Sequence, residues 1–227
     1  MKFILLTAVL ELQASGPTPP EGYDALFNGK DLTGWKVEGE AAKHWVVKDG
    51  ILDYDGKFKD LWTEKEYQDF TLQLEWRWTR PSVEVDRPGI LEDGTEAKGE
   101  DGKTKMMKVP DAGDSGIYLR GSSKSQVNLW CWPVGSGEVY GYRTDGKMSP
   151  EVRRGVTPRK KADKPVGEWN HMVITMKGDR LTVVLNGEEV ITGALLPEVA
   201  PKGPIAFQHH GDPLQFRKVF LKELPRP

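Results

Sequence analysis

A chain of 227 residues with 37% hydrophobic and 29% charged side chains can hold one substantial core or two small ones, and suits a soluble, loop-rich globular protein. Its net charge of -2 leaves no basic footprint for nucleic acid, and the lone Cys131 excludes an intrachain disulfide scaffold. Eight tryptophans are a surplus at this size; such a surplus serves cores and also faces that bind sugars, where CH groups stack on flat rings.

The first twenty residues, MKFILLTAVLELQASGPTPP, read as an atypical secretory leader. Lys2 precedes an apolar run from Phe3 to Leu10, too short to span a bilayer, and Glu11 interrupts it. This predicts export to the periplasm or beyond, with residues 21–227 forming a single β-sandwich domain. HWVVKDGILDYD (44–55) predicts a hairpin turning at Asp49-Gly50, a pair that tolerates the positive φ of a tight turn. DFTLQLEWRW (69–78) is the next strand. Residues 81–113 are charged and turn-rich, as a long inserted loop would be. SGIYLRG (115–121) and SQVNLWCW (125–132) are strands again. Residues 143–167 predict a second long loop, with eight Lys or Arg against three acids. WNHMVITMKG (169–178), a hairpin at Asn186-Gly187 (179–193), GPIAFQHHGD (203–212) and LQFRKVFLKEL (214–224) complete the series. Sequential hairpins without crossover helices imply antiparallel pairing, and two stacked sheets bury this many strands most simply.

Alternation splits each strand into two faces. Phe70, Leu72 and Leu74 oppose Thr71, Gln73, Glu75 and Arg77. Ile117 and Leu119 oppose Gly116, Tyr118 and Arg120. Val127, Leu129 and Cys131 oppose Gln126, Asn128, Trp130 and Trp132. Ile205, Phe207 and His209 oppose Ala206, Gln208 and His210. The oily sets must meet the core. Their partners are hydrogen-bonding and aromatic, and if the four strands share one sheet its outer face is a platform for a polyhydroxylated ligand. His210 belongs with Gln208 on that platform; His209 shares a face with Phe207 or lies just past the strand end. His44 and His171 are expected to be structural.

No GxSxG, HExxH, phosphate loop or dinucleotide fingerprint is present. Glu75 has no acidic partner two or four residues away along its strand, so the two-carboxylate glycosidase mechanism lacks a member. Glu75 could serve as a base or anchor an arginine, and Arg120 could grip substrate or hold Glu75. Asp111 and Asp114 offer the start of a structural calcium site, well short of a dense run of oxygen ligands; no other cofactor is expected.

LFNGKDLTGW (26–35), YQDFTLQLEWRW (67–78), GDSGIYLRG (113–121), GEWNHMVITMKGDRLTVVLNGEEV (167–190) and GPIAFQHHGDPLQFRKVFLKEL (203–224) occur in the order found in the 3-keto-disaccharide hydrolase domain family, which the chain resembles over about residues 23–224. The resemblance implies an all-β, two-sheet antiparallel jelly-roll sandwich of concanavalin A-like type, export in many bacterial members, and action on glycosides oxidised at C3. Glu75, Ser115, Gly116, Arg120, Gln208 and His210 stand at matching positions. Gln126 and Asn128 replace a Glu-x-Gln pair, and His209 stands where Asp is common. A C3 ketone acidifies the C2 proton, so a base can drive β-elimination of the C1 group before water adds back. On this reading His210 or Glu75 is the base and Arg120 and Gln208 meet the enolate oxygen. Tyr118 assists departure, and Gln126, Asn128, Trp130 and His209 line the binding surface. The rival expectation is a lectin-like carbohydrate-binding module without turnover.

Overall fold

The computed structural model describes residues 16–225, so all but the last five residues of the expected leader lie outside the described region. In chain order the elements begin with β1 (Asp24–Ala25), α1 (Ala41–His44), β2 (Trp45–Lys48), β3 (Ile51–Tyr54), β4 (Leu61–Tyr67) and β5 (Phe70–Trp78). There follow β6 (Val83–Pro88), β7 (Met106–Asp111), β8 (Asp114–Leu119), β9 (Ser122–Trp130), α2 (Tyr140–Arg143) and α3 (Pro150–Gly155). The chain ends with β10 (Asn170–Lys177), β11 (Arg180–Leu185), β12 (Glu188–Leu195), β13 (Gly203–Phe207) and β14 (Leu214–Glu223).

These strands build an antiparallel jelly-roll sandwich. An eight-stranded sheet runs β12-β11-β10-β5-β14-β3-β2, with β1 added on β14, and a four-stranded sheet runs β4-β13-β8-β9. Both expected hairpins form, with Asp49 and Asn186 at φ 52° before Gly50 and Gly187. Between the layers lie the oily halves of the alternating strands. Phe70, Leu72, Leu74, Ile117, Leu119, Val127, Leu129, Ile205 and Phe207 are all fully buried. Each such burial contributes about 1.5–3 kcal/mol. Phe207 of the small sheet stacks on Phe216 of the large one at 4.0 Å, joining the two layers directly. Most of the tryptophan surplus goes here too: Trp35, Trp45, Trp76 and Trp78 are buried.

Two segments expected as loops carry structure. Residues 83–111 form a two-stranded arm, β6 with β7, in register from Val83 opposite Asp111 to Pro88 opposite Met106. Its alternation was hidden by charge: Val85 faces Val109 across the ladder, while Asp86 faces Lys108 at 3.7 Å. In the basic segment, Ser149 caps α3 by accepting from the Val152 amide, with Pro150 in the first turn. Among the described residues no helix is long and apolar enough to cross a membrane.

Candidate functional site

The outer face of the four-stranded sheet carries two adjoining hollows. One, of about 340 Å³, is lined by Asp114, Gln126, Asn128, Trp130, Trp132, Tyr140, Gln208 and His210. The other, of about 430 Å³, is lined by Lys36, Phe58, Lys59, Asp60, Trp62, Tyr118 and His209 among others. They meet where Tyr118 of β8 sits directly opposite Gln126 of β9. Gln126 Nε2 donates to Gln208 Oε1 at 2.6 Å and to the Ser115 carbonyl at 3.2 Å, and Gln208 neighbours the Tyr118 phenol. Two amides and a phenol thus line up across this face.

Gly116 makes that chain possible. A Cβ there would lie 2.2 Å from Gln126 Nε2, so only glycine lets the Gln126 side chain cross β8. Ser115, on the opposite face, fixes β13 by donating from its hydroxyl to the Gln208 carbonyl at 2.9 Å. Asn128 is buried and lines the hollow, and no described residue hydrogen-bonds its side-chain amide. Trp130 donates its indole N–H to the Gly135 carbonyl and stacks on Trp132 at 4.3 Å, with Tyr140 edge-on at 6.0 Å from Trp130. Trp130 is therefore the floor; Trp132 is stacked on it with the Arg87 guanidinium 5.5 Å over its ring, and the exposed Tyr140 offers a ring to a ligand.

Electrostatics concentrate on Asp114. Burial pushes its carboxyl up to about 6, with the neighbouring His210 charge working against the rise and Asp212 adding to it. The Asp114 amide is itself held by Asp212 Oδ2 at 2.9 Å. Behind the hollow Glu138 is completely buried and ion-paired with Arg143, and burial raises its carboxyl to about 7 despite that partner. Burial likewise raises the Tyr118 phenol, so it keeps its proton.

Three of the four expected strands share this face; β5 does not. It lies in the eight-stranded sheet between β10 and β14, which puts Glu75 opposite His171 and Arg217 on the far side of the molecule. There Glu75 accepts from Arg217 Nε at 2.5 Å and Lys218 Nζ at 2.9 Å. Burial opposes its charge, but those two hydrogen bonds outweigh it and hold the carboxyl below its ordinary range. Glu75 is an ion-pair anchor, remote from His210. Arg120 also leaves the platform. A register shift between Tyr118 and Leu119, then a φ of 51° at Arg120 in the β8–β9 turn, breaks the alternation and turns the side chain inward. Its guanidinium donates to the carbonyls of Gln68 (2.7 Å), Gly178 (2.6 Å) and Ala200 (3.1 Å) and to Asp69 Oδ1 (3.0 Å). Four of its five N–H donors are spent on clamping three loops, and the side chain is buried away from any ligand on the platform.

The two neighbouring histidines part company. His210 is exposed at the rim of the first hollow. His209 lines the second, its Nδ1 bonded to the Tyr54 hydroxyl and its amide donating to Asp60 Oδ1 at 2.7 Å. Asp111 accepts from Arg87 and from the Gly113 amide, and no group of three or more His, Cys, Asp or Glu among the described residues is arranged to hold a metal. Sequence reasoning weighed Asp114 only for calcium. The signal was available, since 114, 116 and 118 alternate onto one face. Trp132 was placed on the platform but not singled out. Tyr140 and Glu138 follow the strand and carried no pattern to find them by.

The 3-keto-alpha-glucoside-1,2-lyase-like domain model matches residues 22–222. A protein of Bacteroides thetaiotaomicron named 3-keto-disaccharide hydrolase is 21% identical over 249 aligned positions, spanning 92% of this chain and 80% of its own. Two crystal structures from Parabacteroides distasonis, each described provisionally as a glycosyl hydrolase, share the fold. One is 24% identical with a TM-score of 0.59 over 99% of this chain and 94% of its own. The other is 22% identical with a TM-score of 0.58 over 90% and 95%.

Proposed function

Because the chain belongs to the 3-keto-alpha-glucoside-1,2-lyase-like domain family, we propose that it cleaves the glycosidic bond of 3-keto-glycosides by C2 proton abstraction, β-elimination and addition of water. One observation carries this reading. The hollow pairs an imidazole, His210, with a carboxyl pushed up to about 6, Asp114, and among the described residues Asp114 is the one carboxylate lining it. A two-carboxylate glycosidase needs a second acid there. An elimination needs a single base working near neutrality, donors for an enolate oxygen, and a proton for the departing oxygen.

His210 takes the C2 proton, and the Asp114 carboxylate beside it balances the imidazolium that results. Electrons from the C2–H bond move onto the C3 oxygen, which the free amide of Asn128 is suited to meet. Collapse of this enolate expels the C1 oxygen and leaves a C1–C2 double bond conjugated to the ketone. Tyr118, whose phenol burial keeps protonated, donates its proton to the departing oxygen. Water then adds at C1, giving its released proton to the Tyr118 phenolate, while His210 returns a proton to C2, which completes hydrolysis and restores both residues. Tyr140 supplies the stacking surface.

The test is to incubate the protein in deuterium oxide with a 3-keto-glucoside and with its unoxidised parent, following both by mass spectrometry. The expected result is aglycone release from the keto sugar alone, with deuterium at C2 of the product. His210→Ala should lower that rate by about 10²–10⁴-fold. Binding of both sugars with no release would replace this reading with the carbohydrate-binding module.

A further inference from the structure

Apart from Tyr118 at its edge, the second hollow has no task in the chemistry above. Its rim is the segment DGKFKD, 55–60. Here Phe58 sits at φ 81°, a conformation that a bulky side chain rarely adopts and that persists only where surrounding structure imposes it. The imposing contacts are visible. Asp55 accepts from the Lys57 amide at 2.9 Å and from His44 Nδ1 at 3.0 Å, and the His44 ring stacks on Phe58 at 5.7 Å. The result is an aromatic ring held at the edge of an open groove. Trp62, tilted against Tyr118 at 5.6 Å, supplies a second ring. Between them His209, with Nδ1 already bound to Tyr54, has Nε2 left for a ligand, and Lys36, Lys59 and Asp60 add polar groups.

Two aromatic surfaces with hydrogen-bonding groups between them fit a pyranose ring. The groove begins at Tyr118, the residue that protonates the departing oxygen, so whatever fills it is joined through that oxygen to the sugar in the first hollow. We propose that the second hollow is the leaving-group subsite and takes the second sugar ring of a 3-keto-disaccharide, with Phe58 and Trp62 as its stacking walls and His209 as a hydroxyl ligand. This rests on the catalytic reading of the first hollow. The natural substrate is then a glycoside at least two rings long.

The experiment compares 3-ketomaltose, oxidised on its non-reducing ring, with methyl 3-keto-α-glucoside, using wild type, Phe58→Gly and Trp62→Ala. Glycine accepts a positive φ freely, so the first variant removes the ring without straining the turn. The expected result is a kcat/KM ratio favouring 3-ketomaltose in wild type that falls at least about five-fold in each variant, in line with the loss of one aromatic contact. Equal losses on both substrates, or no loss, overturn the subsite while leaving the elimination chemistry intact. If wild type cleaves neither substrate, the catalytic reading fails. Calorimetric titration with maltose and methyl α-glucoside then decides the subsite: tighter maltose binding that both variants abolish supports it, and equal affinities overturn it.

Discussion

The two outer faces of the sandwich look alike in sequence and differ in how their polar groups are used. On the eight-stranded sheet Glu75 is flanked by Arg217 and Lys218, Arg77 donates to Gln215 at 2.8 Å, and Trp169 lies between the guanidinium groups of Arg77 (4.5 Å) and Arg217 (4.0 Å). Each of these named charges has a hydrogen-bonding or aromatic partner, which leaves the cluster inert. On the four-stranded sheet the Asp114 carboxyl is desolvated, the Asn128 amide has no described partner, and His210 stands at the rim. The candidate face is marked by groups left under-satisfied in a hollow. Residue type alone does not mark it.

That contrast can be broken in graded steps. The largest effect belongs to Arg120, whose loss strands the buried Asp69 and three carbonyls. Arg120→Ala should cost about 3–5 kcal/mol in urea unfolding, while the fraction that remains folded turns over substrate normally. A loss of turnover in folded protein would return Arg120 to the site. Asp114→Asn comes next. The carboxyl titrates near 6 in the fold against an ordinary 3.8, so the fold favours its neutral form. Its contribution is complete below about pH 4 and lost as pH rises through about 6. Wild type should therefore lose about 2 kcal/mol of stability between pH 4 and 7 that Asp114→Asn does not lose, after discounting for partial solvent access. The same variant should slow turnover about 10–100-fold, because the imidazolium loses its counter-charge; parallel stability curves for the two proteins would contradict this. Gly116→Ala displaces the Gln126 side chain, which is a flexible end, so activity should fall about ten-fold while the melting temperature moves by only a few degrees. The smallest change is Glu75→Gln, expected within about 1 kcal/mol in stability and without effect on turnover. A Glu75→Gln protein that folds but is inactive would erase the distinction between the two faces.

The sequence on its own determined the oily half of the four strands that alternate cleanly, because a period of two with Leu, Ile, Val and Phe on one side leaves a strand one way to bury itself. It also determined both tight turns through Asp49-Gly50 and Asn186-Gly187, and it put Tyr118, Gln126, Asn128, Trp130, Gln208 and His210 on outward faces. Which outward face belongs to which sheet was a matter of strand order, and strand order is set by long-range pairing that no local pattern encodes. That is why Glu75 was grouped with residues on the opposite side of the molecule. Alternation also assumes an unbroken strand. One positive φ at Arg120 reversed the direction of a side chain whose neighbours were read correctly. The charge environment that singles out Asp114, and the turn that holds Phe58 at the groove, exist only once distant segments close around them, since burial and strain are properties of the packed chain.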